Sequence, residues 1–458
     1  MKRIISLLVM LSIVLSLASC GMFNRISAPK INGKSLSKYT IVYDYEGLDY
    51  NKRAAEYIRD EIKERFSVEL EIINDDDPKA KNEIVIGETS REISKELEAD
   101  TQGLEFAIFA KDGSIALEGE YFVIAAAAYY FVETYASKSG LKSEISEEIS
   151  IHEPIVKEAK NFIILIGDGM GVNHTKLFDA LDDKSDYSDG EDLFYGYLLP
   201  YHGFSRTNSL SGVTDSAAGG TAISSGIKTL NGNVGQDKDG NDVQSLTELS
   251  ATLGKGTAVM STESNTGATP SSFSAHTSNR DNTQEIREDQ LALFQTYGTV
   301  VECGFDYYTA KKISVIEDYI TETLDKIDDE EDGFFLMYEE AHIDKHSHNN
   351  DAEKTYLAII RFNQAIARFM EYAFYNPETF ILITADHETG GLSIEQGGGA
   401  VYSTEEHTEA NVPIFAYGDG AELFGGKTIE NIQIAHTIAT FLGVDDFGDQ
   451  STYGSLTE

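Results

Sequence analysis

Proline, cysteine and positive charge are scarce in this 458-residue chain. Only seven prolines beside a 41% hydrophobic share exclude a collagen-like or mostly disordered chain, because that apolar fraction is enough to build packed cores. Two cysteines, Cys20 and Cys303, cannot make the disulfide framework that staples small secreted domains. Lysine and arginine number 36 against 77 acids, a formal charge of −41, and such a field repels nucleic-acid backbones. The same field sets a condition on chemistry: an anionic substrate binds only where local positive charge overrides it. Internal repeats and low-complexity tracts are also lacking. The length suits two or three domains, each able to bury a core.

What is present begins with a leader. Lys2 and Arg3 precede an apolar run from Ile4 to Leu17, too short for a comfortable membrane span and laid out like a secretory signal. Leu17-Ala18-Ser19-Cys20 resembles the bacterial lipobox, in which the cysteine is lipidated and becomes the new N-terminus. The expectation is a lipoprotein signal peptide over 1–19 and a tether over 20–34. The protein is then exported and anchored through Cys20, on the outer face of the cell membrane or in an outer membrane. Cys303 reads as a buried structural thiol, with nothing basic near it in sequence.

Residues 35–142 read as a small α/β domain. Thr40–Tyr45 is β-rich, and Ala55, Ile58, Ile62 and Phe66 recur at helical spacing within 51–66. Val68–Ile73 and Glu83–Ile86 are short β-branched runs with Asp75-Asp76-Asp77-Pro78 between them. Asp112-Gly113 between two β-rich runs predicts a hairpin, and Tyr121–Tyr135 an apolar helix. Residues 143–158 read as an acidic connector. The stretches KRAAEYIRDEI, NEIVIGET and DGSIALEG resemble the N-terminal α/β domain of some β-hexosaminidases and α-glucuronidases, which implies an accessory module.

From 159 to 458 the pattern changes to long apolar strands separated by helices, which predicts α/β with a largely parallel sheet. Phe162–Ile166, Phe334–Tyr338 and Phe380–Thr384 are uninterrupted apolar runs of the kind buried on both faces. Each is followed by acids: Asp168; Glu339, Glu340 and Asp344; Asp386 with His387. Open α/β sheets bind ligands off the carboxyl ends of their strands. Asp344 and His348 stand one helical turn apart, so both side chains can reach one ion. Asp386-His387 offers a second carboxylate–imidazole pair. Oxygen and nitrogen ligands without cysteine suit zinc in a catalytic site, and bound cations would supply the positive charge that the chain lacks. Thr214-Asp215-Ser216 enters a helix of small residues. That places Ser216 where free N–H groups favour an anion, although Asp215-Ser216 can equally be a plain N-cap.

Together IGDGMG around Asp168, TDSAAGGTA around Ser216, ATP…AHTSNR from Ala268 to Arg280, EEAHIDKHSH from Glu339, TADHETGG from Thr384 and HTEANVPIFAYG from His407 resemble the alkaline phosphatase family, over about 160–445. The resemblance implies a three-layer α/β/α sandwich and a phosphomonoesterase with Ser216 as the nucleophile that becomes phosphoserine. It implies one zinc ion held by Asp168, Asp386 and His387, and a second by Asp344, His348 and His407. Asp168, Thr269 and Glu339 would hold magnesium, and Arg280 would grip two phosphate oxygens. Lys345, next to Asp344, is a candidate for steering phosphate. Small-molecule phosphate monoesters are the implied substrates, and a homodimer is an open expectation. One departure stands out: Gly267, two residues before Thr269, occupies a position where the family usually carries Asp or His near the magnesium shell. With 58 residues between Arg280 and Glu339, where many relatives carry insertions, an open site is expected. The rival readings are a phosphodiesterase of the same superfamily and a decayed phosphate-binding lipoprotein.

Overall fold

The computed structural model describes residues 28–47, 49–96, 101–137, 143–181, 193–303, 314–396 and 399–457. The leader, Cys20 and the Cys303 side chain lie outside the described residues. Among the described residues no helix is long and apolar enough to cross a membrane. The chain forms two compact units. One takes the described residues of Met1–Thr101 and Glu105–Glu153, the other Gln102–Leu104 and Pro154–Glu458.

The first unit is built on a six-stranded sheet: β1 (Thr40–Tyr43), β2 (Ile72–Asn74), β3 (Glu83–Ile86), β4 (Phe106–Lys111), β5 (Ser114–Glu118) and β6 (Ser150–His152), in the order β2-β1-β3-β5-β4-β6. β4 alone runs against the others. Its hairpin with β5 turns at Asp112 and Gly113, both at positive φ (50° and 90°), which Asp tolerates and Gly favours. Helix α1 (Asp49–Phe66) buries Ala55, Ile58, Ile62 and Phe66, the positions its periodicity marks, and packs against α2 (Ile124–Tyr135). Two strands differ from the sequence reading. β2 covers only Ile72–Asn74 because, as an edge strand, it pairs only opposite Ile41–Tyr43. Within the stretch read as connector, Ser150–His152 adds a strand to β4.

The second unit is a mixed eight-stranded sheet. β7 (Asn161–Gly167), β8 (Tyr201–Arg206), β9 (Gly256–Ser261), β10 (Val300–Cys303), β11 (Phe334–Glu340), β12 (Thr379–Thr384), β13 (Val412–Tyr417) and β14 (Thr428–Glu430) lie in the order β10-β9-β11-β7-β12-β13-β8-β14. Only β13 is reversed. The three apolar runs are the neighbouring central strands β11, β7 and β12. Phe162, Ile164, Met337 and Leu382 point to one face, where they share a core with Leu246, Leu249, Ile434 and Ile438. The alternate residues, such as Leu165, Tyr338 and Ile383, point to the other face and are equally buried. There helix α6 (Ala352–Tyr375) covers the sheet, with Phe362 stacked on Tyr338 at 6.3 Å. Helices on both faces of a largely parallel sheet make the expected three layers. Each large apolar side chain so buried contributes about 1.5–3 kcal/mol, enough to hold the strand ends in fixed register.

Candidate active site

The carboxyl ends of β7, β11 and β12 converge. Asp168 follows β7 in a turn that Gly169 makes at φ 71°, where an added Cβ would meet Asp344 and Thr389 within 2.9 Å. Asp386 lies two residues beyond β12, and its Oδ1 accepts the backbone N–H of Gly169 (3.1 Å) and of His387 (3.0 Å). His387 Nε2 stands 3.5 Å from Asp168 Oδ1 and 3.3 Å from Asp386 Oδ2. This buried triad brings together three of the residues singled out in the sequence.

A second triad forms where α5 (His342–Ser347) leaves β11. Asp344 and His348 sit on one face of that turn, and His407 arrives from a two-residue strand, His407–Thr408, paired with Glu388–Thr389. His348 Nδ1 hydrogen-bonds the Glu405 carbonyl, and His407 Nδ1 the Thr214 carbonyl at 2.8 Å. A carbonyl only accepts, so each ring carries its proton on Nδ1. Both Nε2 atoms therefore face one point, where each either carries a second proton toward Asp344 or offers a lone pair to a cation. They lie 3.1 Å from each other and 3.3 and 3.5 Å from Asp344 Oδ1. Two facing lone pairs beside a carboxylate are stable only with positive charge between them. The triads are adjacent, since the His387 and His407 rings stack at 3.6 Å. Thr389 joins them too: its hydroxyl donates to Asp344 Oδ1 and, 3.2 Å from His387 Nδ1, accepts that ring's proton, which frees His387 Nε2.

Ser216 opens helix α3 (Ser216–Ser225), and its Oγ lies 3.2 Å from His387 Nε2. The cap is Asp215 rather than Ser216: Asp215 Oδ1 accepts the Ala218 N–H at 3.0 Å, which leaves the serine hydroxyl for the triad. Asp215 Oδ2 also accepts Arg280 Nη1 at 3.3 Å, so the guanidinium is tied beside the serine with its side chain 36% exposed. Of the third predicted group, Glu339 stands near enough to Asp168 to raise its carboxyl. Register places Ser261 of β9 opposite Glu339 of β11, and Ser261 Oγ donates to Glu339 Oε2. Thr269 lies in the short helix α4 (Ala268–Ser272). Lys345 Nζ bonds Glu263 Oε2. Sequence reasoning did not single out Glu263 or Thr389, and their only signal was proximity to motif residues.

The buried oxygens without a hydrogen-bond partner among the described residues include Asp168 Oδ1, Asp386 Oδ2, Thr269 Oγ1 and Glu339 Oε1. Orphaned oxygens in and near these triads fit divalent cations, and the donor set suits zinc at the two histidine-containing triads and a hard ion such as magnesium at the all-oxygen group. The electrostatics agree. Burial and Asp386 push Asp168 far above the carboxylate range. Burial also lifts Asp386 to about 6 and, aided by Glu263, Glu339 to about 8. Burial and His407 hold His387 neutral. In the second triad burial pulls Asp344 upward, but hydrogen bonds from His348 and His407 outweigh it and keep the carboxyl ionised. The same contact raises His348 to about 9. Protons thus compete for the places that cations would take.

The model of the alkaline phosphatase family matches residues 159–316 and 291–403, together more than half of the chain. Alkaline phosphatase 3 of Bacillus subtilis is 27% identical over 337 residues, which cover 62% of this chain and 71% of that one. Alkaline phosphatase 4 of the same organism is 24% identical over 360 residues, 66% of this chain and 76% of the relative. Among solved structures, the alkaline phosphatase of the Antarctic bacterium TAB5 aligns with a TM-score of 0.57 and 26% identity, over 64% of this chain and all of that one.

Proposed function

Because the chain belongs to the alkaline phosphatase family of hydrolases, we propose that it cleaves phosphate monoesters through a phosphoserine on Ser216, with two zinc ions and one magnesium. The observation that carries this reading is the placing of Ser216 Oγ 3.2 Å from His387 Nε2, within one three-ligand cluster that stacks on a second. Asp168, Asp386 and His387 would hold the zinc nearest the serine, and Asp344, His348 and His407 the other. Asp168, Thr269 and Glu339 would hold magnesium. A histidine-to-aspartate variant of the TAB5 enzyme, solved with magnesium in its M3 site, supports a third cation. Bound there, the cations supply Lewis-acid charge that lowers the pKa of the serine and of a water and neutralises the leaving oxygen.

The chain's own groups divide the remaining work. Ser216 Oγ attacks phosphorus as the ester oxygen departs, which leaves the phosphoryl group on the serine. Water then breaks the new P–O bond and returns the hydroxyl. The free N–H groups at the start of α3 and the Arg280 guanidinium face the phosphoryl oxygens, which shed charge to fixed dipoles without reorganisation. A monoester carries one more negative charge than a diester. The all-oxygen group, with Lys345 close to Glu339 and Asp168, is suited to meeting it.

The test is initial hydrolysis of p-nitrophenyl phosphate against bis-p-nitrophenyl phosphate by zinc- and magnesium-loaded protein. A large monoester preference is expected. Ser216→Ala should lower turnover on the order of 10^3-fold or more with zinc content unchanged. A diester preference, or an Ala variant that turns over normally, would sink this reading.

A further inference from the structure

The loop after β9 contains a carboxylate that the motifs leave unassigned. Glu263 stands two residues beyond Ser261, the strand residue in register with Glu339. Ser261 Oγ donates to Glu339 Oε2 and accepts the Glu263 backbone N–H at 3.1 Å, so one hydroxyl fixes both acids in place. The Glu263 side chain then runs over Gly267. A Cβ built on Gly267 would lie 2.0 Å from Glu263 Oε1 and 2.5 Å from its Cδ. The backbone there does not call for glycine, because φ −60° and ψ 156° are open to any residue. Glycine is needed for the room it leaves. Glu263 Oε2 is taken by Lys345 Nζ, and the carboxylate is largely shielded, with 18% of the side chain exposed.

We propose that Glu263 supplies, from the end of β9, the side chain missing at Gly267: its carboxylate completes the outer shell of the cation group formed by Asp168, Thr269 and Glu339, and it orients Lys345. Position 267 and position 263 have exchanged a charge, with the small residue at one making way for the long acid at the other. Glu263 is a positioning residue, since it reaches substrate only through the cation and Lys345. The inference rests on the magnesium assignment above. The simpler alternative is an ion pair between Glu263 and Lys345 that adds little to stability and has no consequence for a cation.

The experiment is a calorimetric titration of magnesium chloride into the zinc-loaded full chain. The variants are Glu263→Gln, Glu339→Gln and the double change Glu263→Ala with Gly267→Asp. Loss of an outer-shell carboxylate typically costs ~10–100-fold in metal affinity. Glu263→Gln should show that loss with zinc content and circular dichroism unchanged, and the double variant should regain most of it. If Glu263→Gln binds magnesium like the parent while Glu339→Gln does not, Glu263 is only a partner of Lys345 and the proposal fails. Parent-like binding by Glu339→Gln as well would instead remove the magnesium site, and this inference with it. Loss in Glu263→Gln without recovery in the double variant overturns the exchange with position 267.

Discussion

Asp215 uses two oxygens for three contacts. Oδ1 caps α3 through Ala218, while Oδ2 accepts from the Gly232 N–H at 2.9 Å and from Arg280. Removing the carboxylate therefore releases Arg280, the proposed phosphate clamp, without touching the Ser216–His387 contact. Asp215→Ala should cost ~1 kcal/mol of stability for the cap. It should also raise both KM for a monoester and the inhibition constant of phosphate roughly tenfold, equivalent to ~1.4 kcal/mol, with a smaller effect on kcat. Steady-state kinetics and a thermal melt check both parts; an unchanged phosphate affinity would show that Asp215 does not hold Arg280. At this scale the side chains of the two triads were legible in the sequence, because few chemistries other than metal binding ask for carboxylates and imidazoles at those spacings. The cap was not settled, since Asp215 and Ser216 are both good N-caps and only the fold decides between them. Glu263 was hidden for another reason: its place depends on empty space above Gly267, four residues away, which no pattern of residue types records.

Elements carry the site by their ends. The central strands β11, β7 and β12 were readable as unbroken apolar runs, because burial on both faces removes the alternation of a half-exposed strand. β2 and β6 were not, being edge strands of three residues each whose extent is set by their neighbours. Helix α3 shows why its sequence is so small. A Cβ on Gly219 would lie 2.9 Å from the Asp386 carbonyl oxygen, and one on Gly220 2.3 Å from Ser272 Oγ. Backbone cannot yield as a side chain can, so Gly219→Ala should push α3 away from the β12 loop and displace Ser216 relative to Asp386 and His387. Misplacement of ~1 Å can cost ~10^2-fold in rate. The expected result is a loss of that order in kcat with a stability loss of ~1–3 kcal/mol from overpacking. Parent-like kcat in Gly219→Ala would show that the helix can shift without disturbing the serine.

For the whole molecule, the site's proton load sets how stability responds to pH. Glu339 is raised to about 8 and His348 to about 9, and His407 is raised despite burial by its bond to Asp344. From pH ~6.5 to ~9 the folded metal-free protein thus keeps protons that the unfolded chain releases, so stability falls as pH rises. His387 and His174 are lowered, the latter to about 4 by burial, and their opposite effect ends below ~6.5, outside this window. Chelator-treated protein should show a melting temperature that drops between pH 6.5 and 9. The drop should be much smaller after zinc and magnesium are restored, because cations replace the protons. His276, raised to about 9 beside Glu248 against the pull of burial, contributes equally to both samples. Parallel curves with and without metal would contradict the placement of cations among these groups.

The contacts that build the site also span the chain: Ser216 and His387 are 171 residues apart, Thr214 and His407 193, and Gly169 and Asp386 217. Two carboxylate–imidazole pairs are local: Asp344 with His348 one turn apart, and Asp386 with His387 next to each other. Such long-range closures come late when a chain folds, after the sheet that joins them has its strands in order. An ion would therefore find on a nascent chain only separate carboxylate–imidazole pairs and neither complete triad, and it could not guide folding as it does in a zinc finger. Metal capture would then mark the end of folding in time, and a partly folded chain would also lack a complete site.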